Sequence, residues 1–152
     1  MNVYNFHSKP ESLYQYEKIT ETNPDIFWEK YEKDPEELRK REKYLAKDAR
    51  CAYYYARDVL KGPFPEGEEA IIRDVDYTLW YAQYVLEGPF PKGEAMFAEK
   101  AYFAYHYAAD VLEGPFPKGE AAIAKDAYYA NHYANEVLRA DFYYNGKLIT
   151  EV

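Results

Sequence analysis

Val59-Leu60-Lys61-Gly62-Pro63-Phe64-Pro65-Glu66-Gly67-Glu68 returns as Val85-Leu86-Glu87-Gly88-Pro89-Phe90-Pro91-Lys92-Gly93-Glu94, and again as Val111-Leu112-Glu113-Gly114-Pro115-Phe116-Pro117-Lys118-Gly119-Glu120. The spacing is 26 residues each time (85 − 59 and 111 − 85), and a fourth start, Val137-Leu138, lies 26 further on. There the motif decays to Arg139-Ala140-Asp141-Phe142-Tyr143, which keeps only the Phe of the turn. Upstream, Leu45 and Ala46 stand in register with Ile71/Ile72, Phe97/Ala98 and Ile123/Ala124, with no GPFP before them. Self-similarity at a fixed period marks an architecture in which each unit buries its apolar side against the next.

One unit, residues 62–87, carries the signals for two short antiparallel helices. Gly62 follows an apolar-periodic stretch, where a residue at positive φ closes a helix. Pro63 blocks continuation. Phe64 is the only large apolar group of the turn and is expected to plug the gap between repeats. Pro65 suits the first turn of the next helix, where its missing N–H costs nothing. Glu66, Glu68 and Glu69 favour the positive end of that helix's dipole, and Ala70, Ile71 and Ile72 give it a buried side. A second helix over 75–86 opens at Asp74, an N-cap matched by Asp48 and Asp126. Lys100 breaks that series, which leaves one continuous helix as the alternative in the third repeat. Tyr55/Tyr81/Tyr107/Tyr133 and Ala56/Ala82/Ala108/Ala134, with Val and Leu three to five residues on, form one buried stripe.

The predicted architecture is all-α. It is a short α-solenoid of right-handed type, made of 26-residue helix-turn-helix repeats over residues 42–138. A helical N-terminal capping region covers 1–41 and a C-terminal cap or tail covers 139–152. Asn23-Pro24-Asp25 and Asp34-Pro35-Glu36-Glu37 read as helix starts, giving helices near 24–33 and 35–47. Asn145-Gly146 between strand formers predicts a small hairpin or a tail folded back over the last repeat.

Composition narrows the function classes. At 152 residues and 48% hydrophobic content the chain makes one domain with a core, and its 19 Tyr imply packing by rings whose hydroxyls reach polar partners. The net charge of −8 argues against holding a nucleic acid or an anionic membrane by charge. Residues 1–47 contribute −1 (9 basic, 10 acidic) and residues 48–152 contribute −7 (10 basic, 17 acidic). Cys51 is the single cysteine, which excludes an internal disulfide and fits a reducing compartment. With no long apolar run and no signal-peptide core in its first residues, the chain is expected to be a soluble cytoplasmic protein with no membrane partner.

Comparing the copies separates scaffold from surface. The positions that change are read as lying opposite the buried stripe. One stripe is Tyr54, Trp80, His106, His132, and one turn later Asp58, Tyr84, Asp110, Glu136. Another is Arg50, Asp76, Tyr102, Tyr128, then Tyr53, Leu79, Tyr105, Asn131. Varied aromatic and acidic groups on a fixed scaffold describe a binding face, since aromatic residues dominate interface hot spots. The candidate partner-binding residues are Tyr53, Tyr54, Asp76, Trp80, Tyr84, Tyr102, Tyr105, His106, Asp110 and His132. His106 with Asp110, and His132 with Glu136, are i, i+4 pairs that read as surface pairing rather than a metal site, which needs more converging ligands. The GPFPxG turns are not phosphate loops, because prolines interrupt the run of N–H donors. Cys51 reads as a buried structural thiol, and no catalytic residue, cofactor or metal is expected.

The pattern A-x-D-x-x-x-A-x-x-Y-A-x-x-V-L-x-G-P-F-P-x-G-E over residues 42–138 resembles short tandem repeats of phage and bacterial proteins whose turn often reads KGRWPE or KGRFPEGE. Here Pro replaces the usual Arg of that turn, removing a cation and stiffening it. The resemblance implies the repeat fold and a phage or bacterial setting, and carries over no catalytic residue. It favours a non-enzymatic module that binds a host or defence protein and inhibits it by occlusion. Two other readings stay open: an acidic nucleic-acid mimic that blocks a nuclease or DNA-binding protein, and a small-molecule or nucleotide sponge. An enzyme ranks last.

Overall fold

A computed structural model describes residues 33–152. The helix expected near 24–33 lies outside the described residues. The helix expected over 35–47 is instead two: α1 (Pro35–Arg39) and α2 (Glu42–Leu45), with Arg41 between them at φ −115°. The break follows from the repeat itself, because α2 occupies the register of the short helices that follow.

The repeats alternate short and long helices. The long ones are α3 (Ala49–Tyr54), α5 (Val75–Tyr81), α7 (Ala101–His106) and α9 (Ala127–His132). Each runs on into a wider, π-helical turn: Tyr55–Leu60, Ala82–Leu86, Tyr107–Leu112 and Tyr133–Leu138. The short ones are α4 (Glu68–Ile71), α6 (Glu94–Phe97) and α8 (Glu120–Ile123). Each short helix packs on a neighbouring long one, and consecutive long helices lie side by side. The chain is an all-α repeat solenoid with one addition. After α9, β1 (Phe142–Tyr144) and β2 (Lys147–Thr150) form an antiparallel hairpin around Asn145-Gly146, both at positive φ. Of the two C-terminal alternatives, the hairpin is the one adopted. No described helix is long and apolar enough to cross a membrane.

The GPFP turn is a clamp between neighbours. Phe64, Phe90, Phe116 and Phe142 are all buried. Their rings lie on Tyr55, Tyr81, Tyr107 and Tyr133 of the preceding long helix, at centroid distances of 5.1, 5.4, 5.0 and 5.2 Å. The backbone N–H groups of Phe64, Phe90 and Phe116 donate to the hydroxyls of Tyr81, Tyr107 and Tyr133 in the following helix, at 2.8, 2.9 and 2.9 Å. Those hydroxyls in turn donate to Glu68, Glu94 and Glu120 at 3.3, 3.3 and 3.0 Å, and Tyr55 donates to Glu42 in the same way. Lys92 and Lys118 reach back one repeat to the other oxygens of Glu68 and Glu94, at 2.7 and 2.6 Å. Burial, partly offset by the Phe N–H donors, pushes the Tyr81 and Tyr107 hydroxyls up to about 12, so they stay protonated and able to donate.

The two glycines of the turn have different tasks from those the sequence suggests. Positive φ falls on the residue before the first glycine: Lys61 (53°), Glu87 (49°), Glu113 (49°) and Arg139 (54°). Pro63 is not its cause, because Arg139 takes the same φ with Ala140 and Asp141 after it. The N–H groups of Lys61 and Gly62 then both reach the carbonyl of Ala56. In the fourth turn Ala140 stands in the place of Gly62, and its N–H bonds Ala134 in the same way. The second glycine is the sterically required one. A Cβ on Gly67 would sit 2.7 Å from Ala52 Cβ, one on Gly93 2.6 Å from Thr78 Cγ2, and one on Gly119 2.6 Å from Ala104 Cβ. Those partners share one register, where Thr78 spends its hydroxyl on the carbonyls of Ile71 and Asp74.

Asp48, Asp74 and Asp126 cap their helices through side-chain hydrogen bonds. Lys100 does not, yet it takes the same extended backbone, φ −132° and ψ 134°. The helices therefore stay separate in the third repeat, held by packing without the cap. Two outcomes follow. Gly119→Ala should lower stability by about 1–3 kcal/mol through overpacking, and Gly114→Ala by about 0.5 kcal/mol or less, read from denaturation midpoints; equal losses would contradict the assigned contact. Lys100→Asn should raise stability by about 0.5–2 kcal/mol by supplying the missing cap, with Asn chosen because an Asp there would face Asp76.

Candidate interaction face

A long helix in this stack has neighbours on two sides and the short helices beneath, so one face is left to solvent. Residues four apart share that face. On α3 and its continuation they are Arg50, Tyr54 and Asp58; on α5, Asp76, Trp80 and Tyr84; on α7, Tyr102, His106 and Asp110; on α9, Tyr128, His132 and Glu136. The middle row is aromatic in every copy and half-buried, and the flanking rows are exposed except for half-buried Arg50. Tyr84 is 54% exposed, Tyr102 44% and Tyr128 64%.

Two predicted residues belong elsewhere. Tyr53 and Tyr105 are buried, as is Leu79 in the same register. They do not lie on an outer face; they fill the seam between adjacent long helices. Tyr53 meets Tyr77 at 5.7 Å and Trp80 at 6.0 Å, and Tyr105 meets Tyr129 at 5.7 Å and His132 at 5.8 Å. A single-stripe reading misses this because a stacked helix buries its flanks as well as its inner side. The remaining eight, Tyr54, Asp76, Trp80, Tyr84, Tyr102, His106, Asp110 and His132, do share the outer face.

The rings gather into two clusters, one between α3 and α5 and one between α7 and α9. In the first, Trp80 stands edge-on to Tyr77 at 5.3 Å, and Tyr54 lies against Tyr53 at 5.1 Å. The Arg57 guanidinium covers Tyr54 at 4.6 Å and Tyr53 at 5.3 Å, and its fork bonds both oxygens of Asp58 at 2.6 and 2.8 Å. In the second, Nδ1 of His106 bonds Asp110 at 2.8 Å and Nδ1 of His132 bonds Glu136 at 2.6 Å. The other Glu136 oxygen accepts a short hydrogen bond from the Tyr105 hydroxyl, which ties α7 to α9. Tyr102 and Tyr128 lie on the imidazoles of His106 and His132, each at 4.5 Å.

The sequence pattern paired the histidines with their carboxylates and put Tyr128 and Glu136 on the variable stripes, though not among the candidate partner-binding residues, and it did not single out Arg57. The variation at Arg57, Gln83, Ala109 and Asn135 was the available signal for that residue. Among the described residues, no three His, Cys, Asp or Glu side chains are grouped to hold a metal ion. Cys51 is buried, and burial, with Asp48 adding, raises its thiol far above the ordinary value, which disfavours the nucleophilic thiolate. The arrangement suits recognition: fixed rings for area, and oriented carboxylates and imidazoles at its edge.

Comparison with protein-family models, with curated proteins and with solved structures finds no match to this chain. The resemblance to phage and bacterial tandem repeats therefore rests on the repeat pattern itself.

The Tyr105 and His132 hydrogen bonds hold Glu136 below its ordinary value of 4.5. A carboxyl depressed in the folded state stabilises above its unfolded value, and that contribution is lost as pH falls through the folded value. Tyr105→Phe should therefore raise the Glu136 midpoint, followed by carboxyl NMR, and reduce the loss of stability on acidification below 4.5. An unchanged midpoint would mean that the hydroxyl does not reach Glu136 in solution.

Proposed function

We propose that this chain is a non-enzymatic interaction module that binds a protein partner across the outer face of its long helices. One observation carries the reading. Inside, the tyrosine, alanine and phenylalanine positions repeat from copy to copy, while outside each of the three face registers holds three different residue types over the four copies, with rings in the middle row and tyrosines or charges beside them. Exposed tyrosines supply large rigid contact area at low entropic cost, which is why they anchor interfaces. The repeat pattern points to a phage or bacterial setting, with a host or defence protein as the partner. Covering that partner's working surface would inhibit it without any chemistry.

Mimicry of a nucleic acid has less support. Glu42, Glu68, Glu94 and Glu120 accept from buried-ring tyrosines, and Asp48, Asp74 and Asp126 cap helices. Lys92 and Lys118 neutralise two of these carboxylates. Those groups are committed to the scaffold and are poorly placed to stand for a row of phosphates.

Affinity capture from bacterial lysate, followed by direct binding measurement with the recovered protein, tests the proposal. Tyr84→Ala with Tyr128→Ala should weaken binding by more than about tenfold. Tyr143→Ala, an exposed tyrosine of the hairpin outside the twelve face positions, should leave it unchanged. Recovery of no partner, or binding indifferent to the Tyr84 and Tyr128 changes, overturns the reading, and a steep loss of binding with salt shifts it toward mimicry.

A further inference from the structure

The repeats allow one copy to report on another. In the first, Arg57 lies over the Tyr53 and Tyr54 rings and forks onto Asp58. Two repeats on (57 + 52 = 109), the same register holds Tyr105, His106 and Asp110, but Ala109 replaces the arginine. The carboxylates are alike in access: the Asp58 side chain is 41% exposed and that of Asp110 39%. Glu136 adds a second carboxylate across the seam, 52% exposed, where the second repeat, across the seam from Arg57, has Tyr84 in that register. Asp110 bonds only the imidazole of His106, and Glu136 only Tyr105 and His132. Neither has a Lys or Arg partner among the described residues.

We propose that the third repeat binds a guanidinium from outside, taking an arginine side chain of a partner into the place that Arg57 fills in the first. The planar cation would lie on the Tyr105 and His106 rings, as Arg57 lies on Tyr53 and Tyr54, with Asp110 and Glu136 as its acceptors. Stacking on rings and forked bonding to carboxylates are the two preferences that set arginine apart from lysine. The first repeat supplies its own cation and is closed to such a ligand. This deepens the interaction reading by naming the chemistry of one contact, but its test does not need the partner.

The probe is acetyl-tetra-arginine amide, titrated into the whole chain and followed by the ring resonances of Tyr105 and His106. Saturable shifts are expected, and they should be absent with the tetra-citrulline counterpart, which keeps the shape and lacks the charge. Ala109→Arg should fill the site from within and weaken the titration by about tenfold or more, and Asp110→Asn should weaken it without altering the helix surface. Arg57→Ala should open a second site that shifts Tyr53 and Tyr54. Equal shifts from the citrulline peptide, no shifts at Tyr105 and His106, or a titration unaffected by both Ala109→Arg and Asp110→Asn overturns the proposal. Peptide binding that fails while partner capture still depends on Tyr84 and Tyr128 would remove the arginine site and leave the interaction reading standing; the reverse outcome would separate them the other way.

Discussion

The hydroxyl of a buried tyrosine holds this solenoid in register. Tyr81, Tyr107 and Tyr133 are fully buried, yet each hydroxyl accepts the N–H of a phenylalanine in the turn before it and donates to a glutamate of its own repeat. The N–H belongs to a turn that prolines have stripped of other donors, and leaving such a group buried and unpaired costs about 1–3 kcal/mol. The same phenylalanine ring lies edge-on to the previous tyrosine, a contact worth about 0.5–1.5 kcal/mol beyond area burial. Each turn therefore grips one helix by its ring and the next by its backbone. A shift of one residue along any helix would break both grips together.

That division leaves the outer face free to vary. The clamp contacts are made by register 55 and its neighbours, so register 54 can hold Tyr54, Trp80, His106 or His132, of which Tyr54 and Trp80 pack in part against the core. The seams between long helices are intermediate. They need bulk, so Tyr53, Leu79 and Tyr105 are buried there, but they tolerate different chemistries. The first seam ends in an arginine on rings and the last in a network of imidazoles, carboxylates and a tyrosine hydroxyl. One backbone thus presents different chemistry at each step along the stack.

Much of the fold was legible because its contacts repeat in sequence. Phe142 shows the limit. Its turn has lost both prolines and both glycines, yet it plugs Tyr133 as Phe64 plugs Tyr55. Register revealed it where motif similarity had faded. The glycines show the opposite. Sequence alone gives Gly62 and Gly67 equal standing, and only packing shows that Gly67 lies against Ala52 while the positive φ is borne by Lys61. The candidate face was legible in outline, since eight of its ten named residues share a surface. The other two were misplaced because helical periodicity specifies an angle around one helix and says nothing of its neighbours.

By itself the sequence determined the period, the helix breaks at the GPFP turns and the identity of the inner tyrosine stripe. These are set by local chemistry: proline ends helices, Asp caps them, and apolar residues recur at the helical period. Only the tertiary structure decided which rings are buried in seams and which reach solvent. It also decided that a helix starts after Lys100 without a side-chain cap, and that Arg57 lies over the Tyr53 and Tyr54 rings. Those outcomes depend on distances between helices, which no single helix encodes.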